Sequence, residues 1–191
     1  MEDVYELCPK FENDRWLLRL VEKGDATDLL EVYRDKNALP FFNSDNCKGD
    51  NFYYPTKERM EQAIDFWLTS YRERWFVRWT IIDKTILKAV GTIELFHRNA
   101  TDMFHNVGVL RLDLGSSYEK SEIIKEILSI IVTPAYALFD CHEVISKVPI
   151  YAVERSEAFQ AYGFRKSENY LVGATGYAYD GYWECKKQWR K

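Results

Sequence analysis

The sequence lacks a basic patch and any closely spaced pair of cysteines. Its 191 residues carry a formal net charge of −4, with Lys and Arg scattered along the chain, so nothing indicates a nucleic-acid partner. The four cysteines lie far apart, without a CxxC motif or a nearby set of histidines, which predicts free thiols and no metal site. The dipeptide Cys141–His142 is weak evidence for the alternative, a zinc site. A short basic cluster at 186–191 is interpreted as a solvated tail.

Long apolar runs are also missing. The longest one, at 131–139, contains Pro134 and is far shorter than the roughly 20 residues that a membrane helix needs. The N-terminal segment MEDVYELCPK has neither the basic region nor the apolar region of a signal peptide. These absences predict a soluble cytoplasmic protein without a membrane partner.

What the chain does have is ample material for a core. Hydrophobic residues make up 47% and aromatic residues 16% of the sequence, which excludes disorder as a general description. The length fits one domain over residues 1–191. A homodimer is an open alternative.

Hydrophobic periodicity predicts an alternation of strands and helices. Strands are expected at 15–21, 76–83, 87–96, 107–114, 142–150, 165–173 and 179–187. Helices are expected after Asp25 as N-cap, after Thr56 as N-cap, at 121–139 and at 155–162, the last ending on Gly163. This order predicts an α/β (α+β) fold with a mixed central sheet of about seven strands and helices on both faces. The strand after the long helix is expected to run parallel to the strand before it.

The chain is organised around the stretch 108–139, a strand, a polar turn and a long apolar helix. Such a helix begins with unpaired backbone N–H groups, which can hold phosphate. The stretch therefore predicts a phosphate-binding strand–turn–helix. By contrast, the loop 37–55 follows no period and is rich in Asn, Asp, Gly and aromatic residues, so it is either a functional loop or an inert exposed one.

Three segments together resemble a known family. They are AVGTIELF at 89–96, EILSIIVTPAYALFDCHEVISKV at 126–148 and SEAFQAYGF at 156–164. Their order and spacing resemble the GNAT superfamily of acetyl-CoA-dependent N-acetyltransferases, and in particular its ribosomal-protein N-acetyltransferase branch, over about residues 16–186. The resemblance implies an acyl-CoA N-acyltransferase fold, acetyl-CoA as co-substrate, and a primary amine of a small molecule or a protein N-terminus as acceptor.

The resemblance also implies a cofactor site. The backbone of Leu112, Asp113 and Leu114 would hold the pantetheine arm, and the turn that follows would hold the pyrophosphate through Ser117, Tyr118, Glu119, Lys120, Ser121 and Glu122. The family signature has glycines in this turn, whereas Lys120 and Glu122 stand at those positions here. Ala152 replaces a frequent asparagine, and Phe159 replaces the tyrosine that many members use as general acid. These departures favour an alternative reading, a catalytically degenerate GNAT-fold protein that serves as a binding or assembly module.

Acetyl transfer to an amine needs a base for the amine and a proton for the leaving thiolate. Glu94 and Asp113 are the candidate bases, with a salt-bridged strand residue as the alternative for each and Arg111 as the expected partner of Asp113. Tyr162 is the candidate general acid, with a packing role as its alternative. The thioester carbonyl would be polarised by a backbone N–H near Asp113.

Two loops are expected to surround the acceptor. The loop 37–55 lies where the family shapes its acceptor pocket; its composition suits a mobile lid, and Asp45 and Asp50 would favour a cationic amine. His97 and His105 flank a second loop and are placed near the mouth of the cleft, where they are either simply exposed or tune acceptor binding.

Overall fold

The structure of the protein, a computed structural model, describes residues 3–187. The remainder of the basic tail, 188–191, lies outside the described residues. Among those residues, no helix is both long and apolar enough to cross a membrane.

One eight-stranded sheet organises the described chain. Its strands are β1 (Phe11–Glu12), β2 (Trp16–Leu20), β3 (Val77–Asp83), β4 (Lys88–Arg98), β5 (Val107–Leu114), β6 (Glu143–Lys147), β7 (Arg165–Lys166) and β10 (Tyr182–Lys186). They lie side by side in the order β1-β2-β3-β4-β5-β6-β10-β7. All neighbours are antiparallel except β5 and β6, which are parallel as predicted. The sheet has one strand more than the seven expected, because the short β1 pairs with β2.

Four α-helices cover the two faces of the sheet, as predicted. They are α1 (Ala26–Tyr33), α2 (Lys57–Arg72), α3 (Ser121–Leu138) and α4 (Val153–Tyr162). Alternation along β4 divides the faces: Ile93 and Leu95 belong to the core that contains α3 and α4, whereas Glu94 projects to the face of α1 and α2. The core is therefore split into two apolar layers by the sheet itself.

Both predicted N-cap residues precede their helices, but only one of them caps its helix through its side chain. Thr56 Oγ1 accepts the N–H of Arg59 at 3.2 Å and caps α2. Asp25 precedes α1 but makes no capping bond to that helix. Its buried carboxylate instead pairs with Arg19 at 2.6 Å and accepts from the hydroxyl of Thr80 at 2.6 Å. This tertiary ion pair outcompetes a cap that sequence pattern alone favours.

The predicted strand 165–173 is interrupted. After β7 the chain leaves the sheet, and β8 (Leu171–Val172) pairs with β9 (Ala178–Tyr179) in a separate two-stranded ribbon. Two residues at the end of β4 and in the loop after it hold β8 in this position. Asp102 accepts the N–H of Val172 at 2.7 Å, and Arg98 donates to the carbonyl of Val172 at 2.9 Å. Side-chain bonds thus replace the ladder that would have continued the strand.

Candidate functional site

The site begins where two parallel strands separate. β5 pairs with β6 only over Gly108–Val144, Val109–Ile145 and Leu110–Ser146, although β5 continues to Leu114. In the described chain, no strand pairs with this edge of β5 from Arg111 onward. The two strands therefore separate beyond Leu110, which leaves a strand edge able to hydrogen-bond an extended ligand. The role of Leu112, Asp113 and Leu114 in binding pantetheine stays a prediction.

The turn from β5 to α3 is closed by contacts within the protein. The N–H of Ser116 donates to Asp35 at 3.0 Å, and the ring of Tyr118 packs edge-on against Trp16. Ser117, Lys120 and Glu122 are exposed. Buried Glu119 points inward, so the turn presents fewer acidic groups to solvent than its sequence indicates.

Glu119 is neutralised by an arginine of α4. Arg155 Nε lies 2.5 Å from Glu119 Oε1 and Arg155 Nη2 lies 2.9 Å from Glu119 Oε2, a bidentate pair whose side chains are 1% and 5% exposed. The remaining nitrogen of Arg155 donates to the carbonyl of Phe41 at 3.1 Å. Such a pair tethers α4 to the turn and to the loop before α2. Sequence reasoning missed Arg155, because its partner lies 36 residues away.

A second carboxylate occupies the start of α3. Glu154 Oε2 accepts the N–H of Ser121 at 2.7 Å, and Lys120 Nζ lies 3.8 Å from Glu154 Oε1. The N–H and the ammonium group suit a phosphate, since helix N-termini and Lys both bind anions. As arranged, however, an internal carboxylate holds them.

Glu94 and Asp113 come together, as the candidate bases should, but inside a buried ion network. Arg78 joins them: its Nη1 lies 3.0 Å from Asp113 Oδ2, and its Nη2 donates to Glu94. Tyr33 also donates to Asp113 at 2.8 Å. Burial raises the pKa of Asp113, while its Oδ1 has no hydrogen-bond partner among the described residues.

The predicted partner of Asp113 is wrong. Arg111 instead pairs with Glu94 at 3.0 Å, because those two residues lie directly opposite each other on β4 and β5, where Asp113 faces Thr92. Sequence reasoning also missed Arg78, the centre of the network. One signal was available for it, a charged residue within the apolar run VRWTIID.

Tyr162 and His97 lie away from these groups. The Tyr162 hydroxyl is 3.2 Å from Thr133 Oγ1, about 18 Å along α3 from Ser121 at 1.5 Å per residue, and burial raises its pKa. His97 Nδ1 is 2.6 Å from the carbonyl oxygen of Phe139, just past the end of α3 opposite to Ser121, so it does not line the mouth of the cleft. Phe159, at the family's tyrosine position, is buried against Phe164.

A cleft of about 700 Å³ lies beside the end of β6. It is lined by parts of the loop 39–45 and of the segments 147–151, 166–170 and 180–183. The loop is not the free, acidic lid that its composition suggested. Asp45 pairs with Lys147 at 2.6 Å and accepts from Tyr182 at 3.1 Å, and Asp50 pairs with Arg59 at 3.0 Å. Both acids are therefore neutralised within the protein.

Comparison with known proteins identifies the fold. No protein-family model matches the chain, and no curated protein matches it by sequence. Solved structures match nearly all of it. One of them is provisionally described as a ribosomal-protein-serine acetyltransferase from Vibrio cholerae. It superposes at TM-score 0.70 with 13% sequence identity, and the match covers 94% of this chain and 98% of the other. The ribosomal-protein-S5-alanine acetyltransferase from Vibrio fischeri superposes at TM-score 0.66 with 18% sequence identity. That match covers 94% of this chain and 96% of the other.

A third match is the spermidine/spermine N-acetyltransferase from Vibrio cholerae, at TM-score 0.62 and 13% identity, with 91% and 95% covered. The chain therefore has the fold of the GNAT acetyltransferases, as the sequence predicted. At such low identities the likeness establishes the fold alone, since one fold hosts many functions. Residue roles must come from the geometry of this chain.

Proposed function

We propose that this protein is an N-acetyltransferase that transfers an acetyl group from acetyl-CoA to a primary amine, of a small molecule or of a protein N-terminus. One observation carries the proposal: the edge of β5 from Arg111 to Leu114 is left without a strand partner among the described residues. An extended pantetheine arm is the kind of ligand that pairs with such an edge.

Acetyl-CoA would supply the activated acyl thioester, and the protein would supply position and polarity. The backbone N–H groups near Asp113 would orient the arm and polarise the carbonyl. The cleft at the end of β6 would admit the amine, between the loop 39–45 and the segment after that strand. Because Asp45 is already paired with Lys147, selection of the amine would rest on shape and aromatic walls such as Tyr151 rather than on free acidic groups.

Asp113 is the proposed proton acceptor. Its Oδ1 is free of hydrogen bonds among the described residues, and burial raises its pKa, two features that suit a base working near neutral pH. For Glu94 we propose a structural role, since guanidinium groups of Arg78 and Arg111 engage both of its carboxylate oxygens. Tyr162, bonded to Thr133, is likewise proposed to stabilise the packing of α4 on α3.

A thermal-shift titration with acetyl-CoA tests the proposal. Ligand at about 100 times its dissociation constant adds about 2.7 kcal/mol of stability, which corresponds to a rise of about 5–10 °C in Tm for a protein of this size. Acetylation is then measured by mass spectrometry on a panel of polyamines and peptide N-termini. No shift at millimolar acetyl-CoA would rule out the proposed activity.

A specific observation favours a second function, that of a binding or assembly module without acetyl transfer. Glu154 places a carboxylate at the start of α3, where the family holds pyrophosphate, and the general-acid tyrosine is replaced by buried Phe159. The same titration separates the two functions. A binding or assembly module would show no change of Tm with acetyl-CoA. Its cleft would bind a partner that needs no phosphate site.

A further inference from the structure

The first N–H of α3 is already bonded to an anion of the protein itself. α3 has 18 residues, and the amide of its first residue, Ser121, donates to Glu154 Oε2 at 2.7 Å. Lys120, the residue before the helix, places its ammonium group 3.8 Å from the other oxygen of the same carboxylate. Glu154 thus makes, with one carboxylate, the two kinds of contact that a phosphate group would make.

The neighbouring carboxylate does not compete in this way. Glu119 is turned inward and bonded through both oxygens to Arg155. Because that pair is almost fully buried, neither member can leave without exposing the other as an unpaired buried charge. The Glu119–Arg155 pair fixes α4 beside the turn, so the residue adjacent to Arg155, Glu154, lies at the N-terminus of α3.

Glu154, in contrast, is free to move. Its side chain is 46% exposed and that of Lys120 is 59% exposed, so a change of rotamer returns the carboxylate to water at little cost. Such a move releases the Ser121 amide and the Lys120 ammonium group together. No change in the backbone of α4 is needed, since Arg155 stays in place.

We propose that Glu154 is a displaceable placeholder for the CoA pyrophosphate. The carboxylate satisfies the start of α3 when no ligand is bound, and the phosphate groups must expel it in order to bind Ser121 and Lys120. Glu154 thereby weakens CoA binding, because it raises the apparent Kd for CoA. This inference rests on the proposed function, because it requires that the chain bind CoA.

The test compares CoA with pantetheine, which lacks the pyrophosphate, by isothermal titration calorimetry. Glu154→Gln keeps an oxygen able to accept from Ser121 but removes the competing charge, and Glu154→Ala removes the acceptor as well. Loss of a charge competing at a helix N-terminus should tighten CoA binding by about 3- to 10-fold. The affinity for pantetheine should stay unchanged. Without ligand, Glu154→Ala should melt about 1–3 °C lower, because it loses the acceptor for the Ser121 amide, whereas Glu154→Gln should melt closer to the unsubstituted protein.

A matched control is available on the same helix. Glu157 is exposed one turn after Glu154 and forms no ion pair within residues 3–187, so Glu157→Gln removes the same charge without touching the turn. It should leave the affinity for CoA as in the unsubstituted protein.

Three results would refute the proposed role of Glu154. Equal affinity of the unsubstituted protein and both Glu154 variants for CoA would refute it while leaving the proposed acetyl transfer intact. Absence of CoA binding in all of them, including the variants, would refute the placeholder and the proposed acetyl transfer together. An equal gain in Glu157→Gln would assign the effect to overall charge and would also refute the placeholder.

Discussion

Replacing Arg78 by methionine should be among the most destabilising single changes in this protein. The guanidinium group is buried, contacts Asp113 and Glu94, and also donates to Tyr33 at 3.0 Å and Thr92 at 2.9 Å. Methionine fills much of the space but leaves two buried carboxylates short of one positive charge. Breaking a buried ion pair on one side costs about 3–5 kcal/mol, a large share of the roughly 5–15 kcal/mol that stabilises a domain.

Urea unfolding followed by tryptophan fluorescence measures this cost. With an m-value of about 2 kcal/mol per molar, the midpoint of Arg78→Met should fall by about 1.5–2.5 M. The matched control is Arg34→Met, because the ion pair of Arg34 with Glu31 is exposed on both sides and contributes at most about 1 kcal/mol. A midpoint for Arg78→Met within about 0.5 M of the unsubstituted protein would contradict the assignment of the network as structurally essential.

The loss of stability in Arg78→Met should be larger at neutral pH than at acidic pH. Burial raises the pKa of Asp113 above its value of 3.8 in the unfolded chain. The stabilising contribution of such a group is fully present below the unfolded-state pKa and is lost as pH rises through the folded-state pKa. Removing Arg78 raises the folded-state pKa of Asp113 further, so the variant should lose most at pH 7 and recover part of the loss near pH 5. A deficit that is constant or grows on acidification would contradict this account.

Two further predictions concern the backbone at the end of α4 and the loop beside the cleft. Gly163→Ala should lower the free energy of unfolding by about 1–3 kcal/mol, because Gly163 ends α4 with a φ of +122°. The control is Gly24→Ala, at a residue without positive φ and with open space around its Cα, which should leave Tm unchanged or slightly higher. Equal effects of the two substitutions would argue against backbone strain at Gly163. Asp45→Asn should weaken the pairing with Lys147 by about 1.5–3 kcal/mol and increase hydrogen exchange in the loop 39–50, whereas Asp14→Asn, at an exposed acid, should not. Unchanged exchange in Asp45→Asn would show that the loop is held by other contacts.

Most of the fold was predictable, because it depends on periodicity over many residues. The apolar spacing within 121–139 places α3, and the alternation in VGVLRLDL places β5, whichever partner each finds. The expectations that failed share a different cause. The carboxylate of Asp25 bonds to Arg19 and Thr80 instead of capping α1 with its side chain, and the strand at 165–173 is interrupted by bonds to Asp102 and Arg98. In each case a side chain distant in sequence outcompeted a local preference.

By itself, the sequence of the stretch 108–139 determined a strand, a polar turn and an amphipathic helix, and with its flanks it determined the fold. Only the tertiary structure determined which partners the charged residues of that stretch bind. Glu119 looked like an acid facing a phosphate and is instead neutralised by Arg155, whereas Glu154, unremarked in the sequence, occupies the helix start. The physical reason is that periodic burial is encoded by neighbours along the chain. The pairing of charges depends on which groups come within about 3–4 Å after folding, and spacing along the chain does not contain that information.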